Sequence, residues 1–86
     1  MPNRKNKADV SASETIAALE AELHDFLRQK AACAERVKQL LFEEDPAQGK
    51  IFAKEIFTLQ QEKLRLEVEA QVRRNKINRI REVGLS

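Results

Sequence analysis

The sequence of 86 residues is poor in residues that break or cross-link a chain, since it has two Gly, two Pro, one Cys and neither Trp nor Tyr. So few turn-forming residues argue against many short strands, which excludes an all-β sandwich or barrel. A lone cysteine cannot form a disulfide within the chain, so we expect a cytoplasmic protein. The apolar runs are too short to cross a bilayer, so we expect no membrane partner.

The chain also lacks the residue clusters that most enzymes and metal sites need. His24 and Cys33 are its only His and Cys, and their spacing puts them on different faces of a helix, so we expect no metal and no cofactor. Neither a glycine-rich phosphate loop nor a nucleophile turn is present, so we expect no enzyme. The alternative, an all-helical enzyme with an anionic substrate, would need an oligomeric cavity lined by Lys30 and Lys63.

The residues that are abundant favour long helices. Ser11 and Glu14 have the spacing of a capping box, which is typical of a helix start. We predict a flexible basic arm over residues 1–10 and a first helix over about 12–43. Its apolar residues follow one another at steps of three and four, as in a coiled coil, apart from Lys30 in one slot. They are Ile16, Leu19, Leu23, Phe26, Cys33, Val37 and Leu40.

An acidic segment that contains Pro46 interrupts this pattern. Proline disfavours a helical conformation in the residue before it, whereas an Asp-Pro pair is itself a typical helix start. We predict a connector over about 43–46 and a second helix over about 46–83. Gly49 weakens the first turn, so the alternative is a start near Lys50.

A connector this short makes the two helices antiparallel neighbours. We therefore predict an all-α fold, an antiparallel coiled-coil hairpin over residues 11–86. Facing residues then have numbers that add up to about 89, which places Leu59 beside Lys30. The second helix is predicted to be the longer one and to extend beyond the first at its C-terminal end.

Charge is divided between the two halves of this hairpin. Residues 13–49 carry four basic and eight acidic side chains, and residues 50–86 carry nine basic and five acidic ones. Opposite charges on the flanks favour pairing of the first helix with the second, although each exposed pair contributes only about 0 to 1 kcal/mol.

The second helix has two apolar stripes when it is wound at about 100° per residue. One stripe contains Phe52, Ile56, Leu59, Leu66, Ala70 and Ile77. The nearly opposite stripe contains Phe57, Leu64, Val68 and Val72. Burial of one such side chain contributes about 1.5 to 3 kcal/mol to stability. A stripe of four that stays in water lacks several times this contribution. We expect a second copy to cover it, as a dimeric four-helix bundle, or a different protein to do so. The alternative is that the two helices share both stripes within one monomer.

These features predict a non-enzymatic protein–protein interaction module: an adaptor, a small chaperone or an inhibitor. The expected partner-binding residues are Phe57, Leu64, Val68, Val72, Arg65 and Lys54. The alternative is a nucleic-acid-binding regulator that uses the basic end of the second helix, mostly on the predicted overhang. The candidate phosphate-contacting residues are Arg73, Arg74, Lys76, Arg79 and Arg81. A simpler interpretation of these cations is a solvated helix end that suits the helix dipole.

Overall fold

The computed structural model describes the backbone of residues 3–84 and the side chains of residues 12–83. Helix α1 spans Asn3–Glu43 and helix α2 spans Ala53–Arg79. A π-helical turn over Ile80–Gly84 continues α2 and is counted with it below. The two helices pack against each other. The all-α fold and the two-helix hairpin predicted from the sequence are therefore confirmed.

The connector between the helices is a tight loop and not the start of a helix. Asp45 and Lys50 form an isolated antiparallel bridge, in which each backbone N–H donates to the carbonyl oxygen of the other at 2.8 and 2.9 Å. Between them, Pro46 opens a single 3-10 turn, and Gly49 ends it with φ 75°, in the left-handed region that favours glycine. Helix α2 therefore begins at Ala53, and not near residue 46 or Lys50 as the sequence predicts.

The longer connector shifts the pairing of the two helices by about one heptad. The Nζ atom of Lys30 lies 3.4 Å from Oε1 of Glu67, whereas the predicted register places Leu59 beside Lys30. The predicted register is therefore wrong by about two helical turns. A shift of one heptad brings the same faces of the two helices together, so the expected stripe of α2 still packs against α1.

Helix α1, and not α2, extends beyond its neighbour. Arg81, near the end of α2, pairs with Glu20 of α1 across 3.3 Å, so the first turns of α1 lie past the end of α2. The sequence between Asn3 and Glu20 contains no Gly or Pro to stop a helix, and the described backbone is helical from Asn3. The predicted flexible arm thus differs from the structure over residues 3–10, and its residues 1 and 2 lie outside the described residues.

The molecule is a rod that is two helices thick, measuring 74 × 15 × 13 Å along its principal axes. Its radius of gyration is 20.0 Å, against about 12 Å for a globular domain of this length. The core is a single seam between the helices. The buried apolar side chains are Ile16, Val37, Leu40, Leu66, Ala70 and Ile77. With only one seam, each helix leaves its far side in solvent.

Candidate functional site

The second apolar stripe of α2 lies on the surface of the hairpin. Phe57, Leu64 and Val68 are 64, 57 and 60% exposed, and Val72 is 37% exposed. The expectation that α1 covers only one stripe is therefore confirmed, and the alternative of a monomer that shares both stripes is wrong. On the opposite side of the same helix, the buried residues are Leu66, Ala70 and Ile77.

Three residues of the exposed stripe, Phe57, Leu64 and Val68, belong to a longer pattern with the spacing of a coiled-coil seam, and Val72 lies beside it. From Phe57, apolar and amide residues follow at alternating steps of four and three. Together they form what we call the outer face. Its members are Phe57, Gln61, Leu64, Val68, Gln71 and Asn75. None of these six side chains is charged, although charged residues make up 35% of the chain. The outer face is therefore a neutral strip of about five helical turns.

Arg65 and Lys54, which the sequence predicts to orient a partner, lie near this strip and are exposed. Arg65 donates two hydrogen bonds from Nη2 and Nε to the carboxylate of Glu62, at 2.5 and 3.1 Å. These hydrogen bonds lower the pKa of Glu62 and raise the pKa of Arg65. The charge of Arg65 is thus neutralised within α2, and Lys54 is the cation left at the N-terminal end of the strip.

The basic segment of α2 packs against α1 through Arg73 and Ile77, whereas its other cations are exposed. Arg73 is only 21% exposed and pairs with Glu22 of α1 and with Glu69, at 3.4 and 2.7 Å. Its guanidinium carbon lies 4.8 Å from the ring centroid of Phe26, a cation–π arrangement. Ile77, in the middle of the segment, is buried. The prediction that this segment lies mostly on an overhang is therefore wrong, because the overhang belongs to α1.

Arg81 is also engaged by α1, through its ion pair with Glu20. Of the five cations predicted to contact phosphate, Arg74, Lys76 and Arg79 are the exposed ones without an acidic partner among the described residues. A protein that neutralises fewer phosphates binds nucleic acid more weakly. With three such cations in place of five, the structure presents a smaller anion-binding surface than the sequence predicts.

Sequence reasoning missed an apolar patch at the closed end of the hairpin. Phe42 is 92% exposed, and Leu41 and Ile51 are exposed beside the connector. The signal was present in the spacing. Phe42 comes two residues after Leu40, which is buried in the seam, and a step of two residues turns a helix through about 200°.

One of the two lysines in the seam is paired within the hairpin. Lys30 and Lys63 are half-buried, and the ammonium group of Lys30 pairs with Glu67. Cys33 is a half-buried free thiol, and His24 is exposed. Over the described residues, no group of three or more His, Cys, Asp or Glu side chains is arranged to hold a metal ion.

Comparisons with known proteins do not assign the chain. No protein family, curated protein or solved structure gives a significant match to it. Neither described helix has an apolar stretch sufficient to cross a membrane. The surface itself offers the outer face of α2, an uncharged strip on an otherwise charged helix.

Proposed function

We propose that the chain is a protein–protein interaction module that binds through the outer face of α2. The observation that carries this proposal is the exposure of Phe57, Leu64 and Val68 on a helix whose opposite side already packs against α1. An exposed apolar strip rimmed by polar residues is typical of an interaction site. Depletion of charge at the centre of the strip is typical of the core of a protein interface.

Binding takes place by helix packing on a surface that exists before the partner arrives. A helix of the partner lies along the outer face, where its apolar side chains cover Leu64 and Val68. The partner is either another protein, as for an adaptor, small chaperone or inhibitor, or a second copy that completes a four-helix bundle. Because the seam holds α2 in place beforehand, little conformational entropy is lost on binding.

The experiment that tests this proposal is site-specific photo-cross-linking in cells that contain the protein. A photo-reactive phenylalanine analogue replaces Leu64 in one variant and Leu41 in a matched control. The two leucines are 57 and 56% exposed, but only Leu64 belongs to the outer face. We expect a covalent adduct from position 64 and none from position 41. No adduct from position 64, or equal adducts from both positions, would contradict the proposal.

A double substitution provides a second readout. Here the photo-reactive residue replaces Phe57. Leu64→Asp combined with Val68→Asp should then abolish the adduct, because burial of an unpaired carboxylate is unfavourable. Circular dichroism should show that the helical content is retained, since both side chains are exposed in the hairpin. If the adduct survives in the double variant, the strip is not the binding surface.

Nucleic-acid binding is the alternative function, and its remaining basis is the exposed Arg74, Lys76 and Arg79. Phosphate contacts make affinity fall steeply with salt. A titration of duplex DNA from low to moderate salt, with the triple glutamine variant of these residues as the control, tests it. Equal affinity of the two proteins, or no binding at low salt, rejects this alternative.

A further inference from the structure

We infer that the outer face of α2 binds the outer face of a second copy, with the two α2 helices antiparallel about a two-fold axis between Leu64 and Val68. This inference rests on the proposed function, and it goes further by naming the partner and its register. It is carried by the distribution of apolar, amide and charged residues along α2.

The strip is complementary to itself in this register. Leu64 of one copy packs beside Val68 of the other, at both sides of the axis, and Gln61 lies level with Gln71. Within α2, Gln71 donates one hydrogen bond to Oδ1 of Asn75 at 2.8 Å and accepts one from Nη1 of Arg74 at 3.3 Å. A carboxamide has two N–H groups and two acceptor lone pairs, so Gln71 can still pair with a facing glutamine.

A shift by one heptad in either direction places a glutamine opposite Leu64 or Val68, which buries an amide without a partner. Phe57 lies level with Asn75 in this register, but this pair is the last layer at each end of the strip, where the amide stays in contact with water. The central amide layers therefore favour this antiparallel register, as single polar residues do in coiled coils.

Charge distinguishes the antiparallel from the parallel arrangement. A parallel pair would set the exposed cations Arg74, Lys76 and Arg79 of the two copies side by side. The antiparallel pair instead brings the basic end of each α2 level with the connector of the other copy, because Arg81 lies level with Ile51. Residues 43–55 of that copy carry four acidic side chains and two basic ones, Lys50 and Lys54, so this end keeps a net negative charge. Opposite charges at both ends of a symmetric interface favour this orientation.

The row of residues on one flank of the strip argues against a square four-helix bundle. This row of α2 lies between the seam and the outer face and consists of Gln60, Glu67, Arg74 and Arg81. Glu67 and Arg81 are committed to ion pairs with Lys30 and Glu20 of α1. The other flank, with Glu62, Arg65, Glu69 and Lys76, is charged as well, so a square bundle would bury charged residues at its centre whichever flank it used. The two copies therefore form a layer of four helices, with the α2 pair in the middle and one α1 on each outer side.

The first test is the mass of the purified chain by light scattering. We expect twice the 9.9 kDa of one chain. Leu64→Asp should raise the dissociation constant at least about 100-fold, because it places an unpaired carboxylate in the interface. Leu41→Asp is the matched control, with the same chemistry at nearly the same exposure, and should leave the dimer intact. A monomeric wild type, or a dimer that Leu41→Asp and not Leu64→Asp dissociates, overturns the inference.

The second test measures the register with engineered cysteines. In a Cys33→Ala background, a chain with Gln61→Cys is mixed with a size-tagged chain carrying Gln71→Cys and then oxidised. We expect the mixed disulfide to predominate, because positions 61 and 71 lie level across the axis. Position 61 of one copy lies about 15 Å along the helix axis from position 61 of the other copy, which is too far for a disulfide. Predominant 61–61 and 71–71 disulfides would show a parallel pair and would overturn the stated register.

Failure of this inference can be told apart from failure of the proposed function. If the chain is a monomer but a photo-reactive residue at position 64 yields an adduct with a different protein, the outer face is an interaction site and the second copy is not its partner. If the chain is a monomer and position 64 yields no adduct, both proposals are wrong.

Discussion

Helix α2 carries two apolar faces of the same spacing, and they differ in exposure because of one neighbour. Leu64 and Leu66 are two residues apart, yet Leu64 is 57% exposed and Leu66 is fully buried. Nothing in the side chain itself distinguishes them. The difference shows that a single neighbouring helix buries one face of α2 and leaves the other face in solvent.

The two faces also differ in the polar residues they contain. The inner face includes Lys63 and Arg73, and the charge of Arg73 is matched by Glu22 of α1. The outer face includes only amides, namely Gln61, Gln71 and Asn75. A charged residue in a seam requires an opposite charge on a different helix, whereas an amide can pair with another amide. The inner face is therefore suited to a partner unlike itself, and the outer face to a partner like itself.

The largest expected effect on the free energy of unfolding comes from replacing one leucine by alanine on the buried face of α2, compared with the same replacement on the exposed face. Leu66→Ala should lower the free energy of unfolding by about 2 to 5 kcal/mol, because it leaves a cavity in the seam. Leu64→Ala should lower it by less than about 0.5 kcal/mol, as is usual at exposed positions. The measurement is urea unfolding followed by circular dichroism, at a protein concentration low enough to keep the chain monomeric. Equal losses for the two variants would show that the faces are not distinct.

The next effect concerns the cation in the seam. Arg73→Gln should lower the free energy of unfolding by about 1 to 2 kcal/mol, because it removes the stacking on Phe26 and the ion pair with Glu22. Its neighbour Arg74, exposed and hydrogen-bonded only to Gln71 among the described residues, is the matched control. Arg74→Gln should change the free energy by less than about 0.5 kcal/mol. If the two variants unfold alike, Arg73 contributes no more than a surface charge.

A smaller effect is expected at the loop that joins the two helices and sets their register. Gly49 has φ 75°, and a Cβ added there would meet no atom within 4 Å. Gly49→Ala should therefore destabilise the hairpin by about 1 kcal/mol through backbone strain alone. Asparagine tolerates the left-handed region better, so Gly49→Asn should cost less than Gly49→Ala. A destabilisation by Asn equal to or larger than that by Ala would argue against this cause.

The smallest effect concerns the exposed pairs outside both faces. Hydrogen bonds from Arg28 and Gln29 lower the pKa of Asp25 below its ordinary value of 3.8. A lowered pKa in the folded state gives stability that is present above the ordinary value and is lost as pH falls through the folded value. Asp25→Asn should therefore reduce the fall in melting temperature between pH 5 and pH 2, and the expected change is slight because the pair is exposed. An identical pH dependence in both proteins would show that Asp25 makes no such contribution.

The faces of both helices could be predicted from the sequence, but their register could not. Spacing at three and four residues places Leu66, Ala70 and Ile77 on one side of α2, and these residues are buried. The same spacing is unchanged by a shift of seven residues, so it does not tell which layers pair. The register depends on the connector, where Gly49 ends the turn that Pro46 begins.

The errors about the basic segment follow from the error in register. Arg73 can be recognised as a seam residue beside Phe26 only when α2 begins at Ala53. The helical start at Asn3 was missed for a different reason. The segment that follows it is polar and has no apolar periodicity, so only its lack of Gly and Pro indicates a helix. The outer face, by contrast, needs only the winding of one helix and was predictable from α2 alone.

Because the rod is only two helices thick, the hairpin is expected to unfold from one end. Each layer of the seam touches only the layers above and below it, so no globular centre protects all of them together. The layers next to the loop are held by a short covalent link, whereas those at the other end are joined only through the whole length of the chain. Opening should therefore spread from the free ends toward Gly49, and backbone amides near Leu40 should exchange with deuterium more slowly than those near Ile16.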